Sequence, residues 1–437
     1  MQVDKITLQD IGLFDNEEHK GLLSHLNFCK TNGGFEIFTQ FLKTPLTSIQ
    51  KIEDRQAALA IYIENLSAIE SMTISNGTTL VIEKFFETPI KKIPTQISLT
   101  GAYWYQFWDK ADYSIVQYSL EHLIVFMNNL KAWCLLMNEK KHNPILNKLV
   151  AAIQQQLDQP FIENLPTNAK IKNPQKVLQM GYFFLYHFKN QTRELIQDFY
   201  TIDAYYSMAK AIDAYHFNFP TWISSNHPVL EVIDAKHPLV ASPISNSATL
   251  NSTSNFMFLT GANMAGKSTF IKTIGNVVYL SHIGMGAPAK KVTLSLFDGL
   301  ITNLTIADNI VKGESYFYNE VQRIKNTVVK ISDGKKYCVL IDELFKGTNI
   351  QDAMKCSIQV IEGLQKQKKS LFILSTHLYE ISDALKKYTN IQFSYFETQV
   401  KDKELVFHYT LQKGVSEDRI GYLILEREGV VDLLNKL

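Results

Sequence analysis

The 437-residue chain is poor in cysteine. Its four thiols, Cys29, Cys134, Cys338 and Cys356, have separations that match no zinc or redox motif. That excludes a disulfide scaffold and fits a reducing, cytoplasmic compartment. Charge of one sign is missing too: 44 Lys and Arg stand against 43 Asp and Glu, a net +1, so the total does not advertise a nucleic-acid partner. Long apolar runs are absent. The most apolar stretch, SLEHLIVFMNNLKAWCLLM, is interrupted by Glu121, His122, Asn128, Asn129 and Lys131, and reads as an amphipathic or buried helix rather than a membrane span. The opening MQVDKITLQD has no basic-then-apolar leader. No repeat or low-complexity tract stands out. A soluble, membrane-free protein is expected, with a packed core drawn from its 46% hydrophobic residues and room for two to four domains.

Two textures divide what is present. Residues 1–222 are rich in helix formers, poor in glycine, and apolar at i, i+3, i+4 spacing, which predicts an all-α region. FEIFTQFLKTPL reads as one helix ended near Pro45, and a second opens at Thr47 or Ser48. Residues 113–157 read as one or two long helices broken near Pro144, and 174–217 as another long stretch. Residues 223–437 change pattern. The short β-rich runs FMFLT, ITNLT, YCVLID, SLFILST and KELVFHYTLQ alternate with helices, which predicts an α/β domain with a mainly parallel sheet. The serine-rich segment at 242–255 reads as a surface loop.

One motif is specific. TGANMAGKSTFIKTIG sets G-x-x-x-x-G-K-S, with Gly261, Gly266, Lys267 and Ser268, between a strand-like and a helix-like run. Glycines let successive backbone N–H groups converge on phosphate oxygens, and the following helix adds its positive end. Lys267 would reach the β- and γ-phosphates of ATP, and the Ser268 hydroxyl would ligate Mg²⁺. A second motif, YCVLIDELFKGTN, places Asp342 and Glu343 at the end of an apolar run. Asp342 would hold Mg²⁺ directly or through water, and Glu343 would act as general base on the attacking water. In SLFILSTHLYEI, His377 follows a strand. It either senses the γ-phosphate and positions water, or satisfies structural hydrogen bonds. IADNIVKGESYFYNEV reads as a loop and then an amphipathic helix with Ser315 near its start, which suits a second γ-phosphate contact or a plain N-cap equally well.

Together TGANMAGKST, IDELFKGTN, STHLYEI and KGESYFYNEV resemble the ATPase domain of the MutS family of DNA mismatch-repair proteins, in order and in spacing. The resemblance is strong over 223–437. It continues weakly into TNGGFEIFTQFLKTPLTSIQKIEDRQAAL and IDAYYSMAKAIDAYHFNFPTW, similar to the family's helical core and returning helix. It implies a helical core and lever region followed by a P-loop, ABC-type ATPase domain, assembled as a homodimer with two composite ATP sites. It assigns Gly261, Ala262, Asn263, Met264, Ala265, Gly266, Lys267, Ser268 and Thr269 to the nucleotide, Ser268 and Asp342 to the metal, and Ser315 to the partner's nucleotide. In the family a ring that stacks on adenine precedes Q-x-G in the C-terminal strand; the resemblance thus implies Tyr409, counted back from Gln412 and Gly414, with His408 as the alternative on an alternating strand.

Departures from the family pattern shape the functional expectation. The chain begins at the helical core, so the domain that inserts an aromatic wedge beside a mispair is expected to be absent. No DNA-encircling clamp is recognisable in 91–190, and Lys91-Lys92 and Lys140-Lys141 read as solvated faces. Ala262 and Ala265 stand where relatives commonly carry proline and glycine; Ala265 is tolerable if that position needs no positive φ. Two readings follow: a nucleotide-controlled ATPase on mismatched, branched or otherwise structured DNA, or an ATP-driven dimeric switch acting on a protein partner.

Overall fold

The computed structural model describes residues 1–14, 20–138, 143–304, 316–401, 404–416, 426 and 429–434. The chain forms two compact units, one from residues 26–44 and 53–214, the other from 1–25, 45–52 and 215–437. The N-terminal residues join the second unit because they pair with its distant strands. The Gln2 N–H donates to Asp298 O at 2.6 Å, and Gln2 O accepts from Leu300 N–H at 3.1 Å. Buried Asp10 accepts from the Thr302 hydroxyl at 2.7 Å and from Leu304 N–H at 3.1 Å. Leu46 N–H reaches His282 O at 2.7 Å.

The described residues of the 26–44/53–214 unit carry helices and connections without strands. The helix Lys110–Asn138 ends ahead of Pro144, and Pro144, Pro160 and Pro174 each open a helix, at the position where a missing N–H costs nothing, with Asn143 and Asn173 capping two of the three. The longest helices are Lys110–Asn138 and Lys189–Ala214. Their inner faces, with Phe126, Trp133 and Ile196, join Phe38, Tyr62, Phe85 and Phe184 in a core closed to solvent. Gly34 lets the helix Asn32–Lys43 approach Lys189–Ala214, since a Cβ there would sit 2.1 Å from Asp203 Oδ2. Asp203, 2% exposed, accepts the N–H groups of Lys30 and Thr31, both at 2.9 Å, and the Thr31 hydroxyl at 2.6 Å.

Among the described residues, the other unit holds ten strands in two sheets: β1 (Thr221–Ile223), β2 (Leu230–Ala235), β3 (Asn246–Leu250), β4 (Phe256–Thr260), β5 (Lys291–Ser295), β6 (Gly299–Asn303), β7 (Tyr337–Asp342), β8 (Ser370–Ser375), β9 (Ile391–Lys401) and β10 (Glu404–Lys413). The smaller sheet runs β1-β5-β2-β3, and the larger runs β10-β9-β4-β8-β7-β6. In the larger sheet every neighbouring pair is parallel except β9–β10. The strands β4 and β8 are buried along their whole length, as both-face coverage by helices requires. Segment 242–255 is not all loop: β3 lies inside it, with Ala248 and Leu250 buried and Ser247 and Thr249 outward, so a strand hides in polar composition. No helix among the described residues is long and apolar enough to cross a membrane.

Candidate active site

The larger sheet decides which side chains meet. Strand β8 lies between β4 and β7, with Ser375 paired in register with both Leu259 and Asp342. The loop after β4 and the carboxylates at the end of β7 therefore converge over Ser375, at the carboxyl ends of parallel strands, where open α/β sheets bind ligands.

Loop 261–266 leads into the helix Lys267–Ile283. Gly261 (φ 138°) and Gly266 (φ 105°) take conformations that side chains avoid, and a Cβ on Gly261 would lie 3.1 Å from Phe396 O. Met264, not Ala265, takes the third positive φ, 65°, and Ala265 is buried, so alanine is accommodated there. Lys267 is 5% exposed and folds back on the loop, donating to Gly261 O at 2.7 Å and Ala262 O at 2.8 Å. Burial pulls its pKa down to about 8, against the opposing pull of Glu343 and Asp342.

The Ser268 hydroxyl donates to Asp342 Oδ2 at 2.5 Å, and the Ser375 hydroxyl donates to Asp342 Oδ1. Glu343 follows with φ 66°, its N–H bonded to Ser375 O at 3.0 Å. Its carboxylate has a partner on each oxygen: Oε1 lies 2.7 Å from His377 Nε2, and Oε2 lies 3.0 Å from Lys346 Nζ. Burial pushes this carboxyl up, but the hydrogen bonds from His377 and Lys346 outweigh it and hold the pKa at about 2.

A cavity of about 520 Å³ opens beside these groups. Its lining includes Ala262, Asn263, Met264, Gly266, Lys267, Ser268, Thr269, Glu343, His377 and Tyr409. Tyr409 is 43% exposed with φ 54°, at the irregular register between Phe407 and Leu411. It stands over the loop, for a Cβ on Gly266 would meet its ring at 3.2 Å. His408 is not among the lining residues. Asn246 fixes the Tyr409 backbone, donating to Tyr409 O at 2.9 Å and accepting from Leu411 N–H at 2.7 Å. Ser315 lies outside the described residues.

Sequence reasoning missed Ser375, Lys346 and Asn246. Ser375 was legible as the last residue of an apolar strand on the ligand side. Lys346, three residues after Glu343, carried a local signal for an ion pair. Asn246 gave none, because its partners are more than 160 positions away.

The donor set fits a phosphate and a hard cation. A buried ammonium beside a glycine loop at a helix N-terminus suits an anion, and the Ser268 and Asp342 oxygens suit Mg²⁺, which completes its shell with water and phosphate. No group of three or more His, Cys, Asp or Glu converges among the described residues, so a protein-only metal cage is not present there.

The family model for MutS domain V matches residues 257–432. The chain is similar to the DNA mismatch repair protein MutS of Streptococcus gordonii, 27% identical over 249 residues, covering 55% of this chain and 29% of the relative. It is similar also to the MutS proteins of Bacillus licheniformis (29% over 199 residues, 44% of this chain, 23% of the relative) and Petrotoga mobilis (28% over 232 residues, 52% and 28%). Each alignment thus spans less than a third of the relative's length. With the glycine loop, the β7 carboxylates and the β8 serine gathered at the carboxyl ends of neighbouring strands inside the matched region, the chain is a MutS-like protein.

Proposed function

We propose that the chain is a P-loop, ABC-type ATPase that binds Mg²⁺-ATP in the cavity beside loop 261–266 and hydrolyses it. The observation that supports this best is the Lys267–Ser268–Asp342–Glu343–His377 constellation at the ends of β4, β7 and β8. Residues 261–269 wrap the phosphates, Lys267 exchanging its two carbonyl partners for the β- and γ-phosphates. Ser268 and Asp342 hold Mg²⁺, which supplies positive charge against the charge developing on the transferred phosphoryl group. Glu343 accepts the proton of the attacking water. Each of its oxygens has one strong partner, leaving acceptor capacity for that water. His377 orients Glu343 and senses the γ-phosphate. Tyr409 stacks on adenine. Ser315 acts on the nucleotide of a second copy in a homodimer.

We further infer that the dimer is a nucleotide-controlled clamp on mismatched or structured DNA. The relatives named as DNA mismatch repair proteins favour this reading, whereas the net charge of +1 favours a protein partner. Two measurements test the proposal: Mg²⁺-dependent ATPase activity of the chain, and gel shifts on duplex, mismatched and branched DNA across a salt series. DNA binding predicts affinity that falls steeply with salt. No shift at low salt assigns the dimer to a protein partner, and no phosphate release with Mg²⁺-ATP sinks the ATPase reading.

A further inference from the structure

The turn after Glu343 is held in an unfavourable shape. Glu343 and Phe345 both take positive φ, 66° and 59°, without being glycine. Conformations of this kind are strained and persist only where surrounding contacts over-determine them. Phe345 is buried against Phe317, ring centroids 5.7 Å apart. The other restraint is a carboxylate. Glu320, on the helix Tyr316–Ile331 and 3% exposed, accepts the backbone N–H of Lys346 at 2.9 Å on one oxygen and that of Gly347 at 3.1 Å on the other. Lys346, with its backbone fixed in this way, sends its ammonium back to Glu343.

We propose that Glu320 is a positioning residue for ATP hydrolysis, clamping the 344–347 turn so that Lys346 and the turn itself hold Glu343 where it can take a proton from water. This rests on the ATPase reading above. A buried carboxylate is costly unless fully paired, and the alternative use of the pair is to hold the turn for stability alone. The two differ in what they disturb. Glu320 touches no residue of the phosphate loop in these hydrogen bonds, so loosening the turn misplaces the base and leaves the nucleotide contacts in place. A misplacement of about 1 Å near the reacting atoms costs roughly 10²-fold in rate.

The experiment compares Glu320→Ala and Glu320→Gln in the full chain, with Lys267→Ala alongside. Glu320→Ala removes both acceptors. Glu320→Gln keeps the shape and one acceptor, and carries the test if the alanine variant fails to fold. The expected result is a graded loss of kcat, about 10-fold for glutamine and about 10²-fold for alanine, with the KM for ATP within about threefold of wild type. Amide exchange should show faster exchange at Lys346 and Gly347 in both variants, a readout independent of turnover. A kcat within threefold of wild type in folded variants that have lost this amide protection overturns the proposal. So does a KM that rises in step with the loss of kcat. Retention of ATP binding by Lys267→Ala would instead overturn the site reading itself, and the role of Glu320 with it.

Discussion

Glu343→Gln tests the proposed proton-accepting role of Glu343. Glutamine keeps the side-chain length and can still accept the 2.7 Å hydrogen bond from His377 through its carbonyl oxygen, but it loses the charge and the ability to take a proton. Its NH₂ would face Lys346 Nζ, so that ion pair is lost; with Lys346 at 42% side-chain exposure, the pair contributes little to stability. The thermal midpoint should therefore move by only a few degrees. Because Lys267, Ser268 and the loop are untouched, the affinity for ATP should stay within a few-fold of wild type. Loss of a general base slows reactions by on the order of 10²–10⁴, equivalent to about 3–5 kcal/mol of barrier. The assay is steady-state phosphate release paired with single-turnover hydrolysis and titration with a fluorescent ATP analogue. Turnover within tenfold of wild type, with nucleotide bound, would remove Glu343 from the proton-transfer role and point to solvent or His377 instead.

Lys267→Ala should abolish ATP binding measured by calorimetry, since the buried site loses its only ammonium among the described lining residues; an unchanged affinity would contradict the phosphate assignment. Mixing Ser315→Ala with Lys267→Ala subunits should restore part of the ATPase activity if Ser315 acts across a dimer, and no recovery despite proven subunit exchange and a proven single-site activity would place it in cis or as a cap. Asp203→Ala leaves two backbone N–H groups and the Thr31 hydroxyl without their buried acceptor, and should cost roughly 3–5 kcal/mol in urea unfolding. Acid stability should track His282. Fully buried, it accepts the Phe297 N–H at Nε2 (3.0 Å), so Nδ1 carries the proton facing Val278 O at 2.8 Å. Burial holds its pKa at about 3 against an ordinary 6.5, so the unfolded chain takes up the proton first. Stability from this group is therefore full above pH 6.5 and drains as pH falls toward 3, by up to on the order of 4 kcal/mol; a flat urea midpoint between pH 6.5 and 4 would contradict a neutral, buried His282.

The elements that sequence reveals here are those whose chemistry is local. Loop 261–266 needs glycines at two positions and a lysine and serine at the helix start, all within nine residues, so composition and spacing expose it. Strands β4, β7 and β8 are continuous apolar runs, as buried parallel strands must be. Strand β9 went unread although Ser394, Phe396 and Thr398 alternate as buried positions, because two of the three are polar. The N-terminal pieces look like any helical segment; that Gln2 and Asp10 bond to β6 and its flanks is a contact across nearly 300 residues, with no periodicity to announce it.

Backbone strain marks the same boundary from the other side. Of the six non-glycine residues with positive φ among those described, Met264, Glu343 and Tyr409 line the cavity and Phe345 sits two positions beyond Glu343. Their residue types favour none of these conformations, so propensity cannot find them. Three of the four are held by partners distant in sequence: Glu343 by Ser375 O, Tyr409 by Asn246, Phe345 by Phe317. A loop that carries such conformations at a cost of 1–3 kcal/mol apiece must draw on the stability of the sheet beneath it. It follows that the geometry of the candidate site belongs to the folded unit as a whole, and that weakening the remote partner Asn246 should disturb Tyr409 without touching loop 261–266.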